Sequence, residues 1–285
     1  MNGLARNLLL AVPLLLFAVV ASPATADQPA DAPTAPLQLA LGDSWAAGVG
    51  ASVPSEGYVP QLNVALKDDF NCSGNPPAQA QAGCPQLGLT NVAVGGATTP
   101  TMVASQFPQA IPLLEARNGN LNPRDDVELT TLHIGGNDVT NPIIAACLVG
   151  GLTPTCVATI QGELAAYRSD LDGALSTLRG AAGPQAEIVI GTYDNPFRFP
   201  TCFLGQAFPQ SALLGELVLE GGLPGVVPNG LHDIMRDVGA DHGVRVAEVH
   251  GDLVAADWVG GADCLHPRDS GYDKVTVAFL EALGL

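Results

Sequence analysis

Positive charge is what this chain most lacks. Lys67 and Lys274 are its only lysines, and 28 acidic residues stand against 11 basic ones, for a formal charge of −17. So acidic a surface repels phosphate backbones and anionic membranes, which argues against a nucleic-acid partner and otherwise signals solubility. The sequence has no CxxC or HExxH spacing, so it offers no zinc framework. It has no internal repeat, and past the N-terminus no apolar run long enough to span a bilayer. Aromatic residues make up only 5% of it.

Hydrophobic residues are plentiful, at 47%, enough to fill a real core. The first of them form a targeting signal. Arg6 supplies a positive start, Leu8 to Ala21 is apolar, and Ala24-Thr25-Ala26 is a small-x-small cleavage site before Asp27. No stop-transfer pattern follows, which disfavours an uncleaved anchor. Residues 1–26 therefore read as a signal peptide, 27–36 as a Pro/Ala-rich linker and 37–285 as one domain of a secreted, monomeric protein. Six cysteines in a secreted chain imply three disulfides, although fifteen pairings are formally possible. Cys72 with Cys84 and Cys147 with Cys156 would close short loops, leaving Cys202 with Cys264.

Strand and helix signals alternate along the rest. Apolar runs at Leu37 to Leu41, Leu87 to Val94, Val127 to Ile134, Glu187 to Thr192 and Val244 to Val249 predict five strands. Helices are predicted over Tyr58 to Lys67, over Val103 to Arg117 with interruptions at Pro108 and Pro112, and over Leu231 to Val238. The clearest has Ile160, Leu164, Tyr167, Leu171, Leu175 and Leu178 at three- and four-residue spacing and ends at Gly180 or Gly183. Thr98 or Thr99 is the expected cap of the helix that follows it, and Ser270 of the last helix. Pro142 to Cys156 reads as a surface loop, and Asn195 to Asn229 as a long loop with one helix near Ser211 to Leu219. Such alternation predicts a parallel sheet covered by helices on both faces.

Three of the strands end in glycine-rich turns that carry Ser44, Gly96 and Asn137. Parallel strands bring their carboxyl ends to one edge, where open α/β sheets bind ligands. Taken alone, Asp43 or Ser44 could simply cap a helix, Gly96 could serve turn geometry, and Asn137 could bond its own loop. A fourth element changes the balance. Asp263 stands three residues before His266, where one turn of chain can hold the imidazole Nδ1–H and leave Nε2 to take a proton from a serine. His133 reads as a packed or edge histidine, and His232, His242 and His250, which lack that partner, as surface residues. Asp138 reads as a turn cap.

Gly42-Asp43-Ser44, Asn91-x-x-x-Gly95-Gly96-Ala97-Thr98, Gly135-Gly136-Asn137-Asp138 and Asp263-x-x-His266 resemble, in order, the sequence blocks of the SGNH (GDSL-type) hydrolases. The resemblance implies a flavodoxin-like three-layer α/β/α sandwich of about five parallel strands and an esterase without cofactor. It implies Ser44 as nucleophile, His266 as base, Asp263 as its orienter, and an oxyanion hole of the Ser44 and Gly96 N–H groups with the Asn137 amide. Secreted bacterial lipases of this type with three sequential disulfides look closest, which favours the pairing Cys72–Cys84, Cys147–Cys156 and Cys202–Cys264. Two positions depart: Trp45 stands where the family often has Leu, and Gly95 where many relatives have Ser. The segment is not the GxSxG of an α/β-hydrolase elbow. The scarcity of aromatics and the apolar stretch from Phe197 to Val227 favour lipid-type esters. The rival expectations are a carbohydrate O-acetyl esterase and, from another class, a secreted binding protein on an inactive hydrolase fold.

Overall fold

The computed structural model describes residues 35–67, 87–123, 125–147, 150–208 and 210–285. The expected signal peptide, most of the linker and the Cys72–Cys84 pair lie outside the described residues. In chain order the elements are β1 (Leu37–Gly42), α1 (Tyr58–Leu66), β2 (Gly88–Asn91), α2 (Thr99–Ser105), α3 (Phe107–Asn118), β3 (Val127–His133), α4 (Gly136–Cys147), α5 (Pro154–Ala182) and β4 (Glu187–Gly191). Then come α6 (Phe203–Ala207), α7 (Ser211–Glu220), the hairpin β5 (Gly221–Leu223) and β6 (Val227–Asn229), α8 (Leu231–Asp241), β7 (Arg245–Ala247), the hairpin β8 (Trp258–Gly260) and β9 (Asp263–Pro267), and α9 (Asp269–Leu283).

The five strands β2-β1-β3-β4-β7 form one sheet, and each adjacent pair is parallel. This is the flavodoxin-like order, with the chain reversing direction of growth beside β1. β1 is buried along its whole length, as expected of a central strand with helices on both faces. Helices α1 and α9 pack together, and α5 packs against α3 and α8, completing the three-layer α/β/α sandwich.

Several local expectations change. No helix begins at Ser44: residues 44–50 form successive turns, and the first α-helix waits until Tyr58. The strand expected over Leu87 to Val94 contracts to Gly88–Asn91. Much of the loop expected over Pro142 to Cys156 is helical. Val139, Ile143 and Cys147, four residues apart, bury one stripe of α4, which packs on α5; that burial outweighs the hydrogen bond lost at Pro142. Thr98 caps α2 by accepting from Thr101 N–H. Ser270 does not cap α9: Arg268 holds the cap position, and the Ser270 hydroxyl donates to Asp257 Oδ1 at 2.7 Å. The stretch from Asn195 to Asn229 holds two helices, a 3-10 turn and a hairpin rather than a loop with one helix.

Among the described residues, Cys147–Cys156 and Cys202–Cys264 are disulfides. No helix among them is long and apolar enough to cross a membrane.

Candidate active site

The sheet's carboxyl edge carries the site. Gly42 ends β1 at φ +136°, and a Cβ there would collide with the His133 backbone of the neighbouring strand, so only glycine lets β1 turn this close to β3. Gln106 closes the strand from the side: Gly42 N–H donates to its Oε1 at 2.9 Å and its Nε2 donates to Gly42 O at 2.7 Å. Asp43 then points inward. Its carboxylate accepts Trp45 N–H at 2.9 Å and Tyr193 O–H at 2.6 Å, with Asn137 Nδ2 at 3.5 Å. Burial nevertheless pushes its pKa up to about 7 against the lowering effect of these donors. Ser44 follows, half-buried and facing the cavity.

The turns after β2 and β3 come to the same place. Asn91 Nδ2 donates to Ala46 O at 2.8 Å, tying the end of β2 to the serine turn. Gly95 lies beside the nucleophile candidate, since a Cβ added to it would sit 3.9 Å from Ser44 Cβ. No acceptor among the described residues reaches the N–H of Ser44 or of Gly96. Asn137 Nδ2 donates to Ala97 O at 3.0 Å; its other hydrogen has only the long contact with Asp43. Asp138 serves as a cap: both its oxygens accept the Thr99 N–H at 3.0 Å, tying the third turn to the N-terminus of α2.

His266 arrives on β9. Its Nδ1 donates to Asp263 Oδ1 at 2.5 Å. The pair was expected on a turn, yet it lies in a strand. In a regular strand, residues three apart face opposite sides; here the β8–β9 register shifts, pairing Trp258 with Pro267 and Gly260 with Asp263, and the side chains meet. Gly50, at φ +95°, lets the serine turn pass against His266 Cβ and the Pro267 carbonyl.

Asp43, Ser44, Gly95, Gly96, Gly136, Asn137 and His266 all line one cavity of about 260 Å³. Much of the remaining lining is apolar: Val139, Ile143 and Ile144 from α4, Phe197, Leu204 from α6, and Leu214, Val218 and Leu219 from α7. The arrangement offers a hydroxyl, an oriented imidazole and unpaired N–H donors beside a greasy recess, a set suited to acyl transfer.

The remaining histidines do other work. His133 is packed, as expected: burial lowers its pKa to about 3, and Nε2–H donates to Thr192 O at 2.9 Å. His232 is not a surface residue but fully buried, and His242 and His250 are half-buried. Glu220, His232 and His250 bring ligand-type atoms within 4.8 Å of one another. His232 Nε2, however, accepts Tyr193 N–H at 3.1 Å, which puts the ring proton on Nδ1, donated to Glu220 Oε1 at 2.5 Å. That proton occupies the lone pair a cation would need. The cluster instead ties α7 to α8, and the His232 hydrogen bond holds the Glu220 pKa down to about 2. Gln106 and Tyr193, the two side chains that fix Gly42 and Asp43, carried no signal in the sequence beyond their residue type.

The model of the GDSL-like Lipase/Acylhydrolase family matches residues 40–274, from the serine turn to the last helix. The chain belongs to this family. Solved structures share the GDSL-type fold at low identity. A lipase, Lip_vut3, from a goat rumen metagenome is 16% identical at TM-score 0.55, covering 87% of this chain and 97% of that one. Phospholipase A1 from Streptomyces albidoflavus NA297 is 21% identical at TM-score 0.52, covering 88% and 98%. An extracellular lipase from Streptomyces rimosus is 20% identical at TM-score 0.52, covering 88% and 99%. No curated protein matches the sequence. Membership supports ester hydrolysis as the chemistry of this GDSL-type chain.

Proposed function

We propose that the protein is a secreted serine esterase acting on carboxylic esters of lipid type. Ser44 is the nucleophile, His266 the general base and acid, and Asp263 the group that orients His266. The hole consists of the Ser44 and Gly96 N–H groups with the Asn137 amide. The observation that carries this reading is the shared cavity: Ser44, Gly96, Asn137 and His266 line one recess, and much of its remaining lining is aliphatic.

With Nδ1–H held by Asp263, the Nε2 lone pair of His266 takes the Ser44 hydroxyl proton as Oγ attacks the ester carbonyl. The carbonyl oxygen becomes an oxyanion facing the three donors. Collapse breaks the ester C–O bond, and the imidazolium gives its proton to the leaving alkoxide, leaving an acyl-Ser44 and a free alcohol. Water then attacks with His266 again as base, releasing the carboxylic acid and restoring the serine. The aliphatic wall takes the acyl chain at about 0.8 kcal/mol for each methylene buried, so longer acyl groups gain over acetate until the recess is full.

Hydrolysis of nitrophenyl esters from acetate to palmitate, with an acetylated sugar alongside, tests both halves. Ser44→Ala should lose ~10⁴-fold or more of the turnover. Unchanged hydrolysis by that variant refutes the nucleophile; a preference for the acetylated sugar refutes the lipid-type substrate. Failure of a fluorophosphonate to label Ser44 would mark a binding protein on a hydrolase fold. Secretion is tested by the mature N-terminus, expected at Asp27.

A further inference from the structure

Trp45 follows the nucleophile directly, and its two N–H groups reach opposite ends of the site. The backbone N–H donates to Asp43 Oδ1 at 2.9 Å. The indole Nε1–H donates to Leu265 O at 3.0 Å, bridging 220 positions to the residue just before His266. We infer that Trp45 is a positioning residue, whose indole N–H fixes the main chain of β9 and thereby sets the His266 imidazole against Ser44. The inference rests on the triad reading above.

Two observations point the same way. The indole is 4% exposed and lies among aromatic rings, edge-on to Tyr193 at 5.2 Å and Trp258 at 5.8 Å and tilted against His133 at 4.9 Å. Packing of this kind leaves the ring one orientation, so its N–H is aimed rather than free to search. The strand it grips needs a grip: the β8–β9 register is irregular across this stretch, so the ladder alone does not define where residue 265 sits. A side chain without an N–H at this position would fill the apolar volume and offer no donor. In this chain the placement of the base is therefore coupled to the residue beside the nucleophile. Trp45 touches no reacting atom; it acts through Leu265 on His266.

Trp45→Phe tests the idea, because it keeps a ring in the aromatic cluster and removes the donor. Loss of one buried hydrogen bond of about 1 kcal/mol corresponds to a roughly 5-fold change, so kcat on a short acyl ester should fall ~5-fold with KM unchanged. The acidic limb of the pH–rate profile, and of the fluorophosphonate labelling rate, should shift. A side chain that only fills space would change thermal stability and leave that limb in place. Should the variant fail to fold, the wild-type protein still answers: the Trp45 indole N–H, buried and bonded to Leu265 O, should exchange with solvent slowly, and fast exchange overturns the proposal. Wild-type labelling at Ser44 with kcat and pH limb unaltered in Trp45→Phe overturns the positioning role alone. Absence of Ser44 labelling in the wild type overturns the triad reading and this role with it.

Discussion

Residues 42–50 and residues 196–223 both contribute to the lining of one cavity, yet they are held by different means. The first segment is anchored from every side. Gln106 pairs with Gly42, Tyr193 and Asn137 reach Asp43, Asn91 holds Ala46, Trp45 reaches β9, and the Tyr272 hydroxyl donates to Val49 O at 2.6 Å. The second segment is held unevenly. α6 buries no residue, and Phe203 and Leu213 stand 60% and 65% exposed. Its ties cluster at two places: Arg198 on Leu253 O, the Cys202–Cys264 disulfide and backbone bonds to Gly261 at one, and Glu216 with Asn195 and His250 and Glu220 with His232 and Arg236 at the other. Chemistry needs fixed donors, because a misplaced atom costs orders of magnitude. A surface that receives flexible acyl chains needs volume and apolarity far more than register.

The sharpest way to break the comparison is to remove a donor from the anchored side. Asn137→Ala should lower turnover by ~10²–10³-fold, the usual cost of one oxyanion-hole donor, with acetate and long-chain esters affected alike. Its structural role is small, one bond to Ala97 O and a long one to Asp43, so the thermal midpoint should move little. Steady-state kinetics across chain lengths settle it: a loss confined to long esters would place Asn137 in substrate binding instead.

Next in size is the wall. Leu204 lines the cavity from α6 and is only half-buried, so Leu204→Ala removes apolar cavity surface without emptying the core. Loss of about 1–2 kcal/mol of apolar contact should lower kcat/KM for an octanoyl ester ~10-fold and leave an acetyl ester unchanged. An equal loss on both esters would mean that the two sides of the cavity are not separable.

How much of this was legible in the sequence follows the same division. The anchored side announces itself because strand ends in a parallel sheet share an edge, and the turns there need glycine next to a polar side chain. That the turns carrying Ser44, Gly96 and Asn137 meet at one cavity was readable for that reason, as was the alternation that builds the sheet. Gln106, Tyr193 and the indole bond of Trp45 were not, since each acts on a partner 64 to 220 positions away. The wall was hardest. Within residues 195–229 only the helix near Ser211 to Leu219 was readable, and it is α7; the short α6 and the β5–β6 hairpin have no period long enough to read. The buried His232 shows the same limit: its neighbours Leu231 and Asp233 give no hint that Tyr193 N–H and Glu220 lie in wait.

The smallest expected effect separates two buried titratable groups under the anchored turn. Burial raises the Asp43 pKa to about 7 and lowers that of His133 to about 3. Between about pH 4 and 7 the folded state keeps a proton on Asp43 that the unfolded chain, with its ordinary carboxylate near 3.9, releases; this makes stability fall as pH rises. Between about pH 3 and 6.5 the unfolded chain protonates a histidine that the folded state keeps neutral; this makes stability rise with pH. The two slopes oppose each other over pH 4–6.5, so the wild-type denaturation midpoint should vary less there than either group alone would dictate. Asp43→Asn removes the falling contribution, and the midpoint should then climb with pH through this window. His133→Gln, which can still donate toward Thr192 O, removes the rising contribution and should reverse the trend. Denaturant titrations at half-unit pH steps read slopes rather than absolute stability, so they remain informative even though both variants lose some packing. Parallel curves for wild type and both variants would mean that neither group stays buried in its neutral form, and that the turn beneath Ser44 is wetter than its packing indicates.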